Sequence, residues 1–228
     1  MERVVIIGAG AHGREVAEIL RQRAAAFADV QTIGYIDEDT ALSNRTVAGL
    51  PVLGSWNWFS GVDRRELTVI CASGFSEVRK RFAEQARRLG LRFAMAISPD
   101  AYVSPEAALS GGTVIYPNAT VGRDTVLGHH SVINVGAIVS HDTKLDDCST
   151  LNPGVNLAGN VSIGEGCYLG IGCNVVQGIS IGPWTTVGAG AVVIADLPAN
   201  VTAVGVPARV IETKQKGWHE ESTSAAGK

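Results

Sequence analysis

From Val103 onward every sixth residue is aliphatic. The series runs Val103, Leu109, Ile115, Val121, Leu127, Ile133, Val139, Leu145, Leu151, Leu157, Ile163, Leu169, Val175, Ile181, Val187 and Val193. If a fifth to a quarter of residues are of these types, chance gives such a run roughly once in ten billion trials. A period of six fits neither a helix nor an ordinary strand. It predicts a coil with flat sides, each side one short strand and one turn, with three hexads to a coil. The aliphatic residue fills the narrow interior. Four residues after it stands Ala, Thr, Ser, Cys or Val until Ile179, then again small residues at Thr185 and Ala191, which let the corner close. Glycine often follows the aliphatic residue, as in IGEG, LGIG, IGPW and VGAG. Such glycines are expected to supply turn dihedrals that other residues reach only with strain. The pattern is uninterrupted from 103 to 198, which makes about five coils of a parallel β-helix.

The first ninety-odd residues follow other rules. RVVIIG, QTIGYIDED, LTVICASG and RFAMAI read as strands. AHGREVAEILRQR reads as an amphipathic helix with Val16, Ile19 and Leu20 on one face, and FSEVRKRFAEQARRLG as a helix with a glycine stop. Alternation of this kind predicts a small Rossmann-like parallel α/β sheet, too short for a full six-stranded dinucleotide fold. The expected division is residues 1–98 for the α/β domain, 99–213 for the β-helix and 214–228 for a polar, mobile tail in which Trp218 is able to dock. SPDAYVSPEA, with Pro99 and Pro105, joins the two halves.

Bulk properties exclude some partners. A net charge of −3 with 18% charged residues gives no electrostatic reason to seek nucleic acid. No run of 18 apolar residues exists, so no membrane insertion is expected. MERVVIIGAGAHG reads as a first strand and glycine turn, not a signal peptide, and a cytoplasmic location is the default expectation. Cys71, Cys148, Cys167 and Cys173 form no CxxC pair, so neither a disulfide framework nor a zinc ribbon is expected.

Residues 8–13, GAGAHG, satisfy GxGxxG between a strand and a helix. Backbone amides and a helix N-terminus cradle phosphates in such a turn. With a small α/β unit this favours a nucleotide-diphosphate sugar over NAD, and a purely structural turn is the alternative. Among the five histidines, His129 and His141 differ by twelve and so lie on different sides of a three-sided coil. The positions eighteen away from His141 are Arg123 and Gly159. A three-histidine metal site is therefore hard to build, and no metal is expected. His129 and His130 read as a solvated turn. Cys167 and Cys173 stand at the small-residue positions, where packing explains them. Cys148 lies off that register and has no histidine near it in sequence to make it a nucleophile.

GAGAHGREV, YIDED, ASGFSEVRKRF, ISPDAYVSPEA, INVGAIVSHD, LAGNVSIGEGCYLGIG and VGVPARV follow one another over residues 3–211. In that order they resemble the bacterial nucleotide-sugar acetyltransferases of the NeuD/PglD/PerB type. The resemblance implies a left-handed β-helix, a homotrimer, acetyl-CoA as co-substrate, and N-acetylation of a 4-amino-4,6-dideoxy sugar carried on UDP, GDP or dTDP. Some relatives act on sialic acid, so sugar O-acetylation is the alternative. A further alternative is a nucleotide-sugar-binding scaffold with a degenerate acetyl site. By the same resemblance Gly10, Ala11 and His12 line the phosphates and sugar, and Asp37 and Glu38 the base or ribose. Gly74 and Arg79 are further substrate-binding candidates. His141 matches the general base, Asp142 its carboxylate partner and Asn134 an asparagine near the reacting centre. Gly159, Ile171 and Ala189 match acetyl-CoA contacts made chiefly through backbone. Nine residues after the base the family usually carries a second histidine near the acetyl group. Here that position is Thr150, whose hydroxyl can still donate one hydrogen bond.

Overall fold

The computed structural model describes residues 1–221. Residues 222–228, the last part of the expected tail, lie outside the described residues. The chain forms two compact units. One holds Met1–Pro99 and Gly111–Val114, the other Asp100–Ser110 and the residues from Ile115 on.

In the first unit, β1 (Glu2–Ile7) leads into α1 (Ala11–Phe27), β2 (Val30–Ile36), β3 (Thr46–Val47), β4 (Leu50–Gly54), β5 (Thr68–Cys71), α2 (Ser76–Arg88) and β6 (Arg92–Phe93). The sheet order is β3-β4-β2-β1-β5-β6. It has six strands, more than the small sheet expected. The extra pair, β3 and β4, is an antiparallel hairpin in which Thr46 faces Pro51, and β4 runs parallel to β2. Pro51, Gly49 and Gly54 mask this strand in sequence, since proline and glycine are poor strand residues. The chain moves outward from β1 to β2 and β4, then returns to β5 on the other side of β1. Sheets with such a reversal take their ligands in a crevice outside the carboxyl ends of the strands that flank it, here β1 and β5. On one side the core packs Val5, Ile7, Ile36, Phe59, Val69 and Ala83.

The second unit is a parallel β-helix. Ile138–Val139, Asn156–Leu157, Asn174–Val175 and Val192–Val193 stack on one face, each paired with the strand eighteen residues on. Val126–Leu127, Lys144–Leu145, Ser162–Ile163 and Ser180–Ile181 form a second face. Val132–Ile133, Thr150–Leu151, Tyr168–Leu169 and Thr186–Val187 form a third. From Ile115 to Val193 every aliphatic residue of the hexad is at most 3% exposed. The small residues behind them include Thr125, Thr143 and Ser149, whose hydroxyls donate to corner carbonyls and so enter the interior satisfied.

The turns differ from the sequence expectation. Every sixth residue from Gly112 to Gly190 has positive φ, and each stands three after an aliphatic one. Most are Gly, Asn or Asp, the types that enter this region at least cost. The glycine directly after the aliphatic residue serves another purpose. A Cβ on Gly170 would lie 2.6 Å from Ala189 N, and one on Gly164 2.5 Å from Pro183 N. Those glycines let successive coils approach, and it is the third residue that turns the chain.

At the far end, Val201–Val204 pairs antiparallel with Arg209–Thr213. The described part of the tail is docked rather than free. His219 stacks on Trp184 at 3.6 Å, and Trp218 meets Trp184 edge-on. No helix among the described residues is long and apolar enough to cross a membrane.

Candidate active site

In the α/β unit the three motif glycines do different work. A Cβ on Gly8 would meet Ala72 O at 2.6 Å, and one on Gly13 would run into Gly8 O. Packing alone requires both. A Cβ on Gly10 would meet no protein atom within 4 Å, and the residue is exposed. Gly10 is the N-cap of α1, with no side-chain cap and no acid in the first turn. An uncapped first turn with its dipole unopposed is suited to a phosphate.

Asp37 is committed to the backbone. Its Oδ2 accepts from Ala9 N–H at 2.7 Å and its Oδ1 from Asp39 N–H at 2.9 Å, so it braces the glycine turn. Glu38 accepts from Trp56 N–H at 3.2 Å. Beside it opens a cavity of about 440 Å³ lined by Trp56, Asn57, Arg81, Phe82 and Gln85. None of these five residues stood out in the sequence, because their clustering depends on β4, which proline disguised. Ala11 and Gly74 are exposed at the crevice. Arg79, by contrast, is fully buried. His12 is nearly buried, and burial first, then the Arg79 guanidinium, lowers its pKa to about 4.

In the β-helix, His141 sits at a corner. Its carbonyl accepts from Asn160 N–H at 3.0 Å, and Asp142 N–H donates to Arg123 O at 3.1 Å, so coils on both sides hold the backbone. The side chain is 56% exposed. Nδ1 lies 2.8 Å from Asp142 Oδ2. The ring rests on Gly159, eighteen residues on, where a Cβ would come within 2.5 Å of Cε1 and 2.7 Å of Nε2. His141, Asp142 and Gly159 are thus together. Asn134 lies at the other end of the strand Ile138–Val139, with its Oδ1 accepting from Val135 N–H. Exposed Ile171 and Ala189 share a different corner, and Thr150 is buried on the third face.

His130, read as part of a solvated turn, is buried, whereas His129 is exposed. Burial also pushes the thiols of Cys167 and Cys173 up to about 12, which leaves no thiolate for nucleophilic work at neutral pH. Among the described residues no group of three or more His, Cys, Asp or Glu is arranged to hold a metal ion.

Residues 3–86 match the PglD N-terminal domain family. Among solved structures, PerB from Caulobacter crescentus, in complex with CoA and GDP-perosamine, is 36% identical with a TM-score of 0.85, over 93% of this chain and 98% of that one. The chain belongs to the nucleotide-sugar acetyltransferases of the NeuD/PglD/PerB type. The acetyltransferase domain of PglB from Neisseria gonorrhoeae, in complex with acetyl coenzyme A, is 34% identical with a TM-score of 0.85, over 92% of this chain and 99% of that one. WeeI from Acinetobacter baumannii is 28% identical with a TM-score of 0.82, over 92% and 100%. Among curated protein sequences none matches the chain. As a member of this family it is an acetyltransferase, with acetyl-CoA as the donor.

Proposed function

We propose that this chain acetylates the 4-amino group of a 4-amino-4,6-dideoxy sugar carried on UDP, GDP or dTDP, by direct transfer with His141 as general base. The observation that carries the reading is the exposed His141 ring, set on Gly159 and held by Asp142. A sugar amine that attacks a thioester must lose a proton as the C–N bond forms. With its proton on Nδ1 the imidazole donates to Asp142, and the Nε2 lone pair is left to take that proton. No acceptor among the described residues takes the Gly159 N–H. It is a candidate donor to the oxyanion that forms on the thioester carbonyl. The sulfur leaves as CoA thiolate and takes up the proton, so no acyl-enzyme is required. The uncapped start of α1 and the open face of Gly10 would hold the diphosphate.

The corner carrying His141 and Gly159 is not the corner carrying Ile171 and Ala189. A neighbouring copy in a homotrimer would bring one copy's first corner against another's second, with acetyl-CoA between them. The enzyme would work in the cytoplasm, where its donor is made. The test is turnover of acetyl-CoA with a panel of UDP-, GDP- and dTDP-linked 4-amino sugars. A product heavier by one acetyl group and stable to mild alkali supports N-acetylation. An alkali-labile product makes it an O-acetyltransferase, and no turnover with any of them leaves a binding scaffold.

A further inference from the structure

Arg79 is an arginine with no exposed surface, on the first turns of α2. Burying a guanidinium is costly, so the fold must use it. Its Nη1 donates to Ser73 O at 2.7 Å. Ser73 Oγ in turn accepts from Phe75 N–H at 3.3 Å, and Gly74, between them, faces open space. This turn follows β5, and its neighbour Ala72 packs directly on Gly8 of the glycine turn. Arg79 therefore underpins the turn that follows β5 from a fully buried position. Its positive charge also acts on His12, whose side chain is 12% exposed.

We infer that Arg79 is a positioning residue for the nucleotide sugar, acting through the Ser73–Gly74–Phe75 turn and through His12 without contacting substrate. This rests on the reading of the crevice as the nucleotide-sugar site. The chemical consequence falls on His12. Burial first, and then the Arg79 cation, keep the imidazole unprotonated, although the Glu15 carboxylate stands 3.8 Å from Nδ1. A neutral ring keeps one nitrogen as an acceptor, able to take a hydrogen bond from a sugar hydroxyl or amine. A charged ring could not do so. Lysine would preserve the charge but not the planar fork that reaches the Ser73 carbonyl.

The experiment compares Arg79→Met and Arg79→Lys with the wild type in three measurements: KM for the nucleotide sugar, KM for acetyl-CoA, and the titration of His12 by NMR. For Arg79→Met we expect the nucleotide-sugar KM to rise about 10- to 100-fold, as for a wall misplaced by ~1 Å. The acetyl-CoA KM should not move, and the His12 titration midpoint should move up from its wild-type position, with burial still holding it below the ordinary histidine range. Arg79→Lys should raise the same KM several-fold while His12 stays neutral. A nucleotide-sugar KM within about twofold of wild type in both variants overturns the inference. So does an equal rise in both KM values, or a His12 titration midpoint that does not move in folded Arg79→Met. If Arg79→Met does not fold, the nucleotide-sugar KM of Arg79→Lys decides, and no change there overturns it. A wild type that acetylates no amino sugar would sink the acetyltransferase reading and leave His12 titration and calorimetric binding of UDP and GDP to decide this one.

Discussion

Replacing Gly159 by alanine would separate catalysis from folding. The new Cβ would stand 2.5 Å from His141 Cε1, 2.7 Å from Nε2 and 3.1 Å from Nδ1. Favourable carbon contacts begin near ~3.5 Å, so the ring must retreat by about 1 Å. Residue 159 does not have positive φ, so alanine fits the backbone. The imidazole is more than half exposed, and it can swing away without opening a cavity. Stability should therefore change by no more than about 0.5 kcal/mol. Turnover should fall about 100-fold, the loss typical of a reacting group misplaced by ~1 Å. Gly170→Ala is the contrast, because there the added Cβ meets backbone of the next coil, Ala189 N at 2.6 Å and Gly188 C at 2.8 Å. Backbone cannot swing away, and a loss of about 1–3 kcal/mol is expected. Thermal melts of both variants and single-turnover acetyl transfer by Gly159→Ala make the test. A Gly159→Ala enzyme with a single-turnover rate within threefold of wild type would refute the role given to the His141–Gly159 contact. A melting point as low as that of Gly170→Ala would refute the structural half.

Four further outcomes are expected. His141→Ala should assemble and bind acetyl-CoA normally but lose about 10²- to 10⁴-fold in kcat, the usual contribution of a general base; retention of more than about a third of kcat would place the base elsewhere, with His12 next in line. Asp142→Asn should lose less and keep its fold, since Asn160 already occupies the equivalent positive-φ position one coil later; a melting point well below wild type would contradict this. His12 is neutral in the fold down to about pH 4, whereas the unfolded chain takes up that proton near 6.5. Stability should then fall as pH drops through that window, by at most roughly 3 kcal/mol, and His12→Asn should flatten the fall; equal losses between pH 7 and 5 in both proteins would show that His12 is not responsible. Light scattering should report a trimer, and a monomer at micromolar concentration would remove the proposed site between copies.

The interior of the β-helix was legible because a narrow prism leaves one kind of side chain room at one spacing, and Leu127, Ile133 and Val139 are all fully buried where the period puts them. The turns were only half legible. IGEG and VGAG each carry two glycines, and residue type alone does not say which one bends the chain and which one clears space for the next coil. The same ambiguity hides the proposed catalytic pair. Asp142 stands in the positive-φ column with Asp124 and Asn160, where an acid is ordinary, so only resemblance marked it out. The clearest physical signal for His141 is the glycine eighteen residues on, whose missing Cβ makes room for the ring; that pairing can be read from spacing once three hexads are known to close one coil. Arg79 shows the opposite case. It lies in the run Arg79, Lys80, Arg81 on a helix with charged residues in plenty, and a basic run of that kind reads as a solvated face. Only the turn of the helix decides that the first of the three goes inward beneath the crevice while Arg81 lines a cavity beside it. The residues proposed for function in this chain thus break the local pattern of their element. The repeat tolerates an exposed histidine because it leaves a glycine beneath it, and the helix tolerates a buried arginine because the turn before it presents a carbonyl.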